Sequence, residues 1–159
     1  YFNKFEKVWH RGDYIRISKN GSLKIYGRSD ATLNPGGIRI GTSEIYRVIE
    51  KIDKIVDSLV VGQSWKGDQR IILFLKMKEG HTFNKSVENM VKQMIKKTCS
   101  PRHVPAVVLE TNEIPYTING KKVEIAVKKV IEGKAVDNTD SLQNPQVLDF
   151  YKNISELTT

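Results

Sequence analysis

Residues 114–131 read IPYTINGKKVEIAVKKVI, and they say more about the architecture of this chain than any other segment. The first half predicts a turn, because Pro115 restricts the backbone and Gly120 tolerates the positive φ that a tight turn needs. The second half carries valines and isoleucines at helical spacing, which predicts a helix from Lys121 to Ile131. A lysine is therefore expected at the tip of a glycine-hinged turn, directly in front of a helix.

A second informative segment, GRSDATLNPGGIRIGTSEIY, covers residues 27–46. Asparagine, proline and two glycines at 34–37 are typical of a turn. After that turn, Thr42 or Ser43 can cap the N-terminus of a helix, and Glu44 falls in its first turn, where a carboxylate interacts favourably with the helix dipole. The apolar positions that follow have three- and four-residue spacing, as in an amphipathic helix: Ile45, Val48, Ile49 and Ile52.

The other segments complete an α+β pattern. The alternating residues 8–25, with a tight turn at 19–22, predict a β-hairpin, which is marginal in water unless it packs on another element. Further along, the predicted order is a strand at 56–65, a strand at 70–78, a helix at 86–98 and a strand at 106–111. A polar linker is predicted at 137–144. A short helix is predicted from Pro145, docked through Val147, Leu148, Phe150 and Tyr151. This pattern predicts a layer of about three strands covered by helices, preceded by a hairpin.

Length and composition favour one compact domain of a larger protein. A chain of 159 residues with 39% hydrophobic and 28% charged residues is typical of a globular domain, and no apolar run approaches the ~20 residues of a membrane helix. The first residues, YFNKFEKVWHRGDY, lack a signal-peptide core and begin without Met, which suggests a fragment. The single cysteine, Cys99, favours a reducing, cytoplasmic location.

Charge is distributed unevenly along the chain. The net charge is +8, with ten lysines and arginines against five acids over residues 85–134, and one lysine against four acids over residues 135–159. A basic centre favours a phosphate-bearing partner, although a solvated lysine-rich face gives the same pattern. A basic, non-enzymatic nucleic-acid-binding domain is a further alternative, but no clustered aromatic residues or nucleic-acid motif accompany the lysines. His10 and His81 have no metal-ligand spacing to acids or to cysteine, so no metal site is predicted.

In their order and separation, the two segments resemble the C-terminal region of the acyl-adenylate-forming enzymes, the superfamily of acyl-CoA synthetases, luciferases and peptide-synthetase adenylation domains. The family pattern Pro-x-Thr-x-x-Gly-Lys is matched by Pro115, Thr117, Gly120 and Lys121. The resemblance implies that Lys121 is the catalytic lysine of adenylation, where it would offset the negative charge between the substrate carboxylate and the α-phosphate of ATP. Lys122 follows where the family often has a hydrophobic residue, and it stays a lesser candidate for this role.

The second segment resembles the junction between the large and small domains of the same enzymes. The resemblance implies that Arg28 contacts the nucleotide and that Asp30 is the hinge about which the small domain rotates between two catalytic arrangements. Gly36 and Gly37 would form a CoA-binding passage, where the pantetheine arm lies close to the backbone. Arg39 would lie on the nucleotide side or the CoA side of the same region.

Three further site residues follow from the resemblance. Asp13 is expected to bind the ribose hydroxyls of the nucleotide, since a carboxylate can accept two hydrogen bonds, although Arg11 stands two residues earlier where the family has threonine. Lys96 and Arg102 are expected to face the phosphates of CoA, from the end of the predicted helix and from just after it. A solvated helix end explains these two positions equally well.

The resemblance covers nearly the whole chain and implies three parts: the end of a large N-terminal domain at 1–29, a mobile C-terminal domain at 30–134 and a tail at 135–159. It implies a two-step ligation that uses ATP, Mg²⁺ and coenzyme A and releases AMP and pyrophosphate. The acid would be acetoacetate, with acetate or propionate as alternatives.

The same resemblance places the loop that binds the ATP phosphates, the Mg²⁺ ligands and the acyl pocket in the large N-terminal domain. That domain is the expected protein partner of this chain, and the chain alone is therefore expected to be inactive. No nucleic-acid partner and no membrane partner is expected.

Overall fold

The structure is a computed structural model, and it describes residues 6–8, 12–29 and 31–158, without the side chain of Tyr26. It begins with the expected hairpin, in which strands β1 (Asp13–Ile17) and β2 (Leu23–Arg28) pair antiparallel. The hairpin carries exposed aliphatic side chains that its own two strands cannot bury: Ile15, Ile17, Leu23 and Ile25.

A three-stranded mixed sheet forms the centre of the fold. Strands β3 (Ile55–Trp65) and β4 (Asp68–Met77) make a long antiparallel hairpin, and β5 (Val107–Glu110) pairs parallel to β4. Because a parallel neighbour needs a crossover, the chain passes through a helix between β4 and β5. The prediction of about three strands covered by helices, with a hairpin in front, is confirmed.

Helices and the tail cover opposite faces of this sheet, because alternate residues of a strand point to opposite sides. Helices α1 (Thr42–Ile49) and α2 (Lys85–Thr98) bury one set of strand side chains, including Val60 and Leu73. Helix α3 (Glu124–Ile131) and the tail bury the other set, including Leu59 and Phe74. None of the described helices is long and apolar enough to cross a membrane.

Two predicted helix starts are wrong. Helix α1 is preceded by Gly41 in an extended conformation, so neither Thr42 nor Ser43 is its N-cap residue; Thr42 is instead buried as the first helical residue. Helix α3 begins at Glu124 and not at Lys121. The reason is that the backbone before Glu124 belongs to the turn, where it makes β-type hydrogen bonds that a helix would break.

The tail is part of the core. A 3₁₀ segment at Pro145–Tyr151 buries Val147, Leu148 and Tyr151, and the Tyr151 ring lies edge-on to Phe74 with centroids 4.8 Å apart. Phe150 is 51% exposed, so its predicted place on the docking face is wrong. The predicted linker is wrong too, because Leu142 is buried and the segment around it pairs with the chain at Thr117.

Candidate functional site

Lys121 lies on a closed turn, as the sequence predicts. The backbone N–H of Thr117 donates to the carbonyl oxygen of Lys121 at 2.8 Å, and the N–H of Lys121 donates to the Thr117 hydroxyl at 3.1 Å. Gly120 has a φ of +69°, in the left-handed region that glycine tolerates best. The proline-threonine-glycine pattern thus has a physical basis, because threonine closes the turn and glycine permits it.

The two adjacent lysines have different surroundings. The Lys122 ammonium donates to Asp57 Oδ1 and to the Ser58 carbonyl oxygen, each at 2.6 Å, and it lies 4.4 Å from the centre of the Tyr46 ring. The Lys121 side chain is exposed, and within the described residues its ammonium has no carboxylate partner. Lys121 is therefore the cation of this pair that can approach an anionic ligand.

Lys121 and Arg28 line the same cavity of about 380 Å³. This cavity lies beside the start of helix α3, and the tail contributes Asn138 and Ser141 to its wall. The lining includes two acidic residues, Glu124 and Asp137, but lysines and arginine outnumber them, and an excess of positive charge suits a phosphate-bearing ligand. A larger cavity of about 550 Å³ lies between the end of α3 and the tail, and none of the predicted site residues lines it.

Asp13 and Arg28, both predicted to bind nucleotide, are cross-strand partners at the open end of the hairpin. The Arg28 guanidinium lies against Gly12: a Cβ added to that glycine would be 3.1 Å from Nη2. The N–H of Ser29 also donates to the Gly12 carbonyl oxygen at 2.7 Å. The fold therefore brings a carboxylate and a guanidinium together at the open end of the hairpin.

The glycine turn at residues 34–37 is held by the start of β4. Both carboxylate oxygens of Asp68 accept from the N–H of Gly36, at 3.1 and 3.0 Å, and the Gln69 side chain accepts from the N–H of Asn34 at 2.6 Å. Arg102 lies beside this turn, with Nη1 3.6 Å from the position of a Cβ on Gly36. Two of the residues predicted for CoA, Gly36 and Arg102, are thus neighbours.

The other predicted positions are more dispersed. Arg39 is exposed, and its guanidinium carbon lies 5.6 Å from the centre of the Tyr14 ring in β1. Gly37 is exposed, and a Cβ added to it would have no other described atom within 4 Å. Lys96 is exposed in the last turn of α2. Asp30, the predicted hinge, lies outside the described residues.

The Glu44 carboxylate contacts a residue outside helix α1. Glu44 lies in the first turn of α1, where its carboxylate is 3.5 Å from Nε2 of His103. This contact joins α1 to the short segment that carries Arg102, so the Glu44 side chain helps to pack these two segments together.

Two tyrosines next to Lys122 have strongly perturbed acidities. Burial, together with the hydrogen bond to Asp57, raises the pKa of the Tyr116 phenol well above its ordinary value. Burial and the nearby Glu124 carboxylate likewise raise the pKa of Tyr46. Both phenols are therefore neutral hydrogen-bond donors at ordinary pH and contribute no charge to the site.

Sequence reasoning did not identify the residues that support the site. Asp57, Tyr46 and Tyr116 surround Lys122, and Asp68 holds the glycine turn. One signal was present in the sequence, since Asp57 is the charged residue of a strand whose other residues are uncharged. Within the described residues, no three metal-ligating side chains cluster in a way that could hold a metal ion.

No family model matches this chain. In sequence, it is 51% identical over 159 residues to the acetoacetyl-CoA synthetase of Rattus norvegicus and 53% identical over 159 residues to that of Xenopus tropicalis. Each alignment covers 99% of this chain and 24% of the relative. The chain therefore spans about a quarter of the length of the curated relatives that it matches, and the matched part is their C-terminal quarter.

A solved structure gives the same result for the fold. Acetoacetyl-CoA synthetase from Streptomyces lividans superposes with a TM-score of 0.88 at 34% sequence identity. The superposition covers 100% of this chain and 24% of that protein. The architecture described above, with the hairpin, the mixed sheet and the docked tail, thus matches about a quarter of that acetoacetyl-CoA synthetase.

Proposed function

We infer that this chain belongs to the acyl-adenylate-forming enzymes and is a C-terminal region of the acetoacetyl-CoA synthetase type. As such a region, it is the mobile part of an acid–CoA ligase. The overall reaction joins acetoacetate to coenzyme A and converts ATP to AMP and pyrophosphate. One observation supports the assignment most strongly: Lys121 presents an ammonium without a carboxylate partner among the described residues, on a cavity that Arg28 also lines.

In the first step, the acid carboxylate attacks the α-phosphorus of ATP, and pyrophosphate leaves. Two anionic groups must approach each other, and negative charge develops on the phosphoryl oxygens. The Lys121 ammonium lowers this barrier by lying between the carboxylate and the phosphate. Its long, flexible side chain suits this task, and the closed turn brings it to the surface. Arg28 and Asp13 bind the nucleotide from the hairpin side.

In the second step, the CoA thiol attacks the acyl carbon of the adenylate, and AMP leaves. We propose that the chain then turns a second surface towards the active site. On this surface the glycine turn at 34–37 has no bulky side chains, so the pantetheine arm can lie close to the backbone. Arg102 lies beside that turn and, with Lys96, provides positive charge for the CoA phosphates. Rotation about Asp30 exchanges the two surfaces at one active site.

The remaining functions belong to the preceding part of a longer protein. We propose that the Mg²⁺ ligands lie in that preceding part. The acyl pocket and the loop for the β- and γ-phosphates of ATP belong to the large domain, against which the exposed aliphatic side chains of the hairpin pack. The free thiol of Cys99 is consistent with a cytoplasmic enzyme.

The proposal is tested by acid-dependent pyrophosphate release and acyl-CoA formation with the full-length protein. Acetoacetate, acetate and propionate are compared at matched concentrations, and the 159-residue chain alone is assayed in parallel. The proposal expects turnover by the full-length protein with a preference for acetoacetate and none by the chain alone. Turnover by the chain alone would contradict the assignment of the acyl pocket and the phosphate-binding loop to the large domain. A preference for acetate or propionate would contradict the assignment of acetoacetate as the acid.

A further inference from the structure

The Asp57 carboxylate, near the start of β3, accepts three hydrogen bonds. Asp57 Oδ1 accepts from the Lys122 ammonium at 2.6 Å and from the N–H of Ser58 at 2.7 Å, and Oδ2 accepts from the Tyr116 hydroxyl at 2.6 Å. Its side chain is only 18% exposed. These three hydrogen bonds offset the cost of removing most of the carboxylate from water.

The two side chains that bind Asp57 come from opposite ends of the Lys121 turn. Tyr116 and Lys122 pair with each other as an isolated antiparallel bridge, and residues 117–121 lie between them. The single carboxylate of Asp57 therefore binds both ends of the turn, and the Lys121 side chain on the turn is exposed to solvent. We refer to Asp57, Tyr116 and Lys122 as the Asp57 clasp.

The Asp57 clasp is also joined to three elements of the core. The Lys122 ammonium donates to the Ser58 carbonyl oxygen of β3 and lies against the Tyr46 ring of α1. The Tyr46 hydroxyl donates to Glu124 at the start of α3 and accepts from the N–H of Val60 at 3.1 Å. The turn is thus held by the sheet and by both neighbouring helices.

We propose that Asp57 is a positioning residue for the adenylation lysine, acting through Tyr116 and Lys122. The inference rests on the proposed role of Lys121. That side chain has no ion pair of its own among the described residues, so the direction of its ammonium depends on the backbone of the turn. Without the Asp57 clasp, the turn would sample other arrangements, and the ammonium would reach the α-phosphate less often.

The expected effect is specific to one half-reaction. Asp57→Asn in the full-length protein should lower the rate of adenylate formation by about 10- to 100-fold, because small errors in position are costly in catalysis. Thioester formation from supplied acyl-adenylate should stay within about threefold of wild type, because Lys121 serves only the first step in the proposed mechanism. Tyr116→Phe removes one hydroxyl and should shift the ratio of the two rates in the same direction by less.

Glu88→Gln is the matched control. Glu88 on α2 is also a largely buried carboxylate that pairs with a lysine, since its side chain is 14% exposed and that of its partner Lys92 is 26% exposed. It does not contact the Lys121 turn. Its substitution should leave both half-reactions unchanged, which separates loss of the clasp from loss of any buried ion pair.

A second readout, also on the full-length protein, does not depend on ligase activity. Reductive methylation followed by site-resolved mass spectrometry should label Lys121 quickly and Lys122 slowly, and Asp57→Asn should raise labelling of Lys122 severalfold. Equal labelling of the two lysines in the wild-type protein would overturn the clasp itself.

Comparable losses in both half-reactions with Asp57→Asn, or no loss in either, would overturn the positioning role. Lys121→Ala, measured alongside, keeps this result distinct from a failure of the proposed function. If Lys121→Ala leaves adenylation intact while Lys122 is still protected from labelling, the error lies in the role of Lys121 and not in the clasp.

Discussion

At the scale of single residues, two neighbouring lysines have different surroundings in the structure. Lys122 is anchored to Asp57, and Lys121 is exposed. The sequence motif singles out Lys121, because threonine and glycine at fixed offsets define the turn. It could not show which residue pairs with Lys122, because Asp57 lies 65 residues away along the chain. Only the packing of β3 brings the two side chains together. The pairing of distant charges is a tertiary property.

The difference between the lysines predicts different stabilities for matched variants. Lys122→Met leaves the Asp57 carboxylate, 18% exposed, without its cation, so the free energy of unfolding should fall by about 1 to 3 kcal/mol. Lys121→Met removes an exposed cation and should change it by less than about 0.5 kcal/mol. Urea denaturation of the 159-residue chain measures both, and equal effects would show that Lys122 is not anchored as described.

At the scale of elements, the helices and strands follow the hydrophobic periodicity, whereas their exact ends do not. Helix α2 begins at Lys85, after Asn84 whose side chain accepts from the N–H of Val87, close to the predicted start. Helix α3 begins three residues later than periodicity predicts, because the apolar spacing cannot reveal that Lys122 pairs with Tyr116. Hydrogen bonds to partners outside the segment decide such boundaries.

The glycine turn at 34–37 gives a prediction about the second half-reaction. Asp68→Ala removes the carboxylate that accepts from the N–H of Gly36, and the turn should lose its fixed shape. The KM for CoA should rise by about 3- to 10-fold while the rate of adenylation is unchanged. Steady-state kinetics of the full-length protein measure both values, with Asp53→Ala as the control for removal of an exposed acid. An unchanged KM would argue against CoA binding at this turn.

Helix α2 gives a prediction about acid stability. Hydrogen bonds from Lys85 and Lys92 lower the pKa of Glu88 below its ordinary value of 4.5. The unfolded chain therefore binds this proton at a higher pH than the folded chain, so the contribution of Glu88 is complete above pH 4.5 and is lost as the pH falls through the folded-state pKa.

Glu88→Gln should accordingly cost stability near neutral pH and bring the variant closer to wild type in acid. Urea denaturation at about pH 7 and about pH 3.5 tests this. A constant difference between the two proteins at both pH values would mean that the ion pairs of Glu88 do not form in solution.

At the scale of the whole molecule, the tail completes the hydrophobic core. The sequence identifies the apolar residues after Pro145, but polar residues at 137–144 suggest a detached linker. The structure instead buries Leu142 in a bridge beside Thr117 and covers one face of the sheet with the tail. Sequence patterns could not show this, because the tail has too few residues to display a period. The domain boundaries at 29 and 134 stay predictions.

Two adjacent aromatic residues test the docking of the tail. Tyr151 is buried against Phe74, and its hydroxyl donates to the Glu113 carbonyl oxygen at 2.7 Å. Tyr151→Ala should therefore lower the free energy of unfolding by about 3 to 5 kcal/mol. Phe150→Ala, at a neighbouring exposed position, should cost less than about 1 kcal/mol. Similar losses for both variants in urea denaturation would contradict the described docking of the tail.

Separate assays of the two half-reactions test the role of Lys121 most directly. Wild-type and Lys121→Ala full-length proteins are compared in acetoacetate-dependent adenylate formation and in CoA acylation from supplied acetoacetyl-adenylate. We expect adenylation to fall by about 100-fold or more, since removal of one group that stabilises developing charge costs roughly 10²–10³ in rate, while CoA acylation is retained. Retention of both half-reactions by Lys121→Ala, or equal loss of both, would contradict the account.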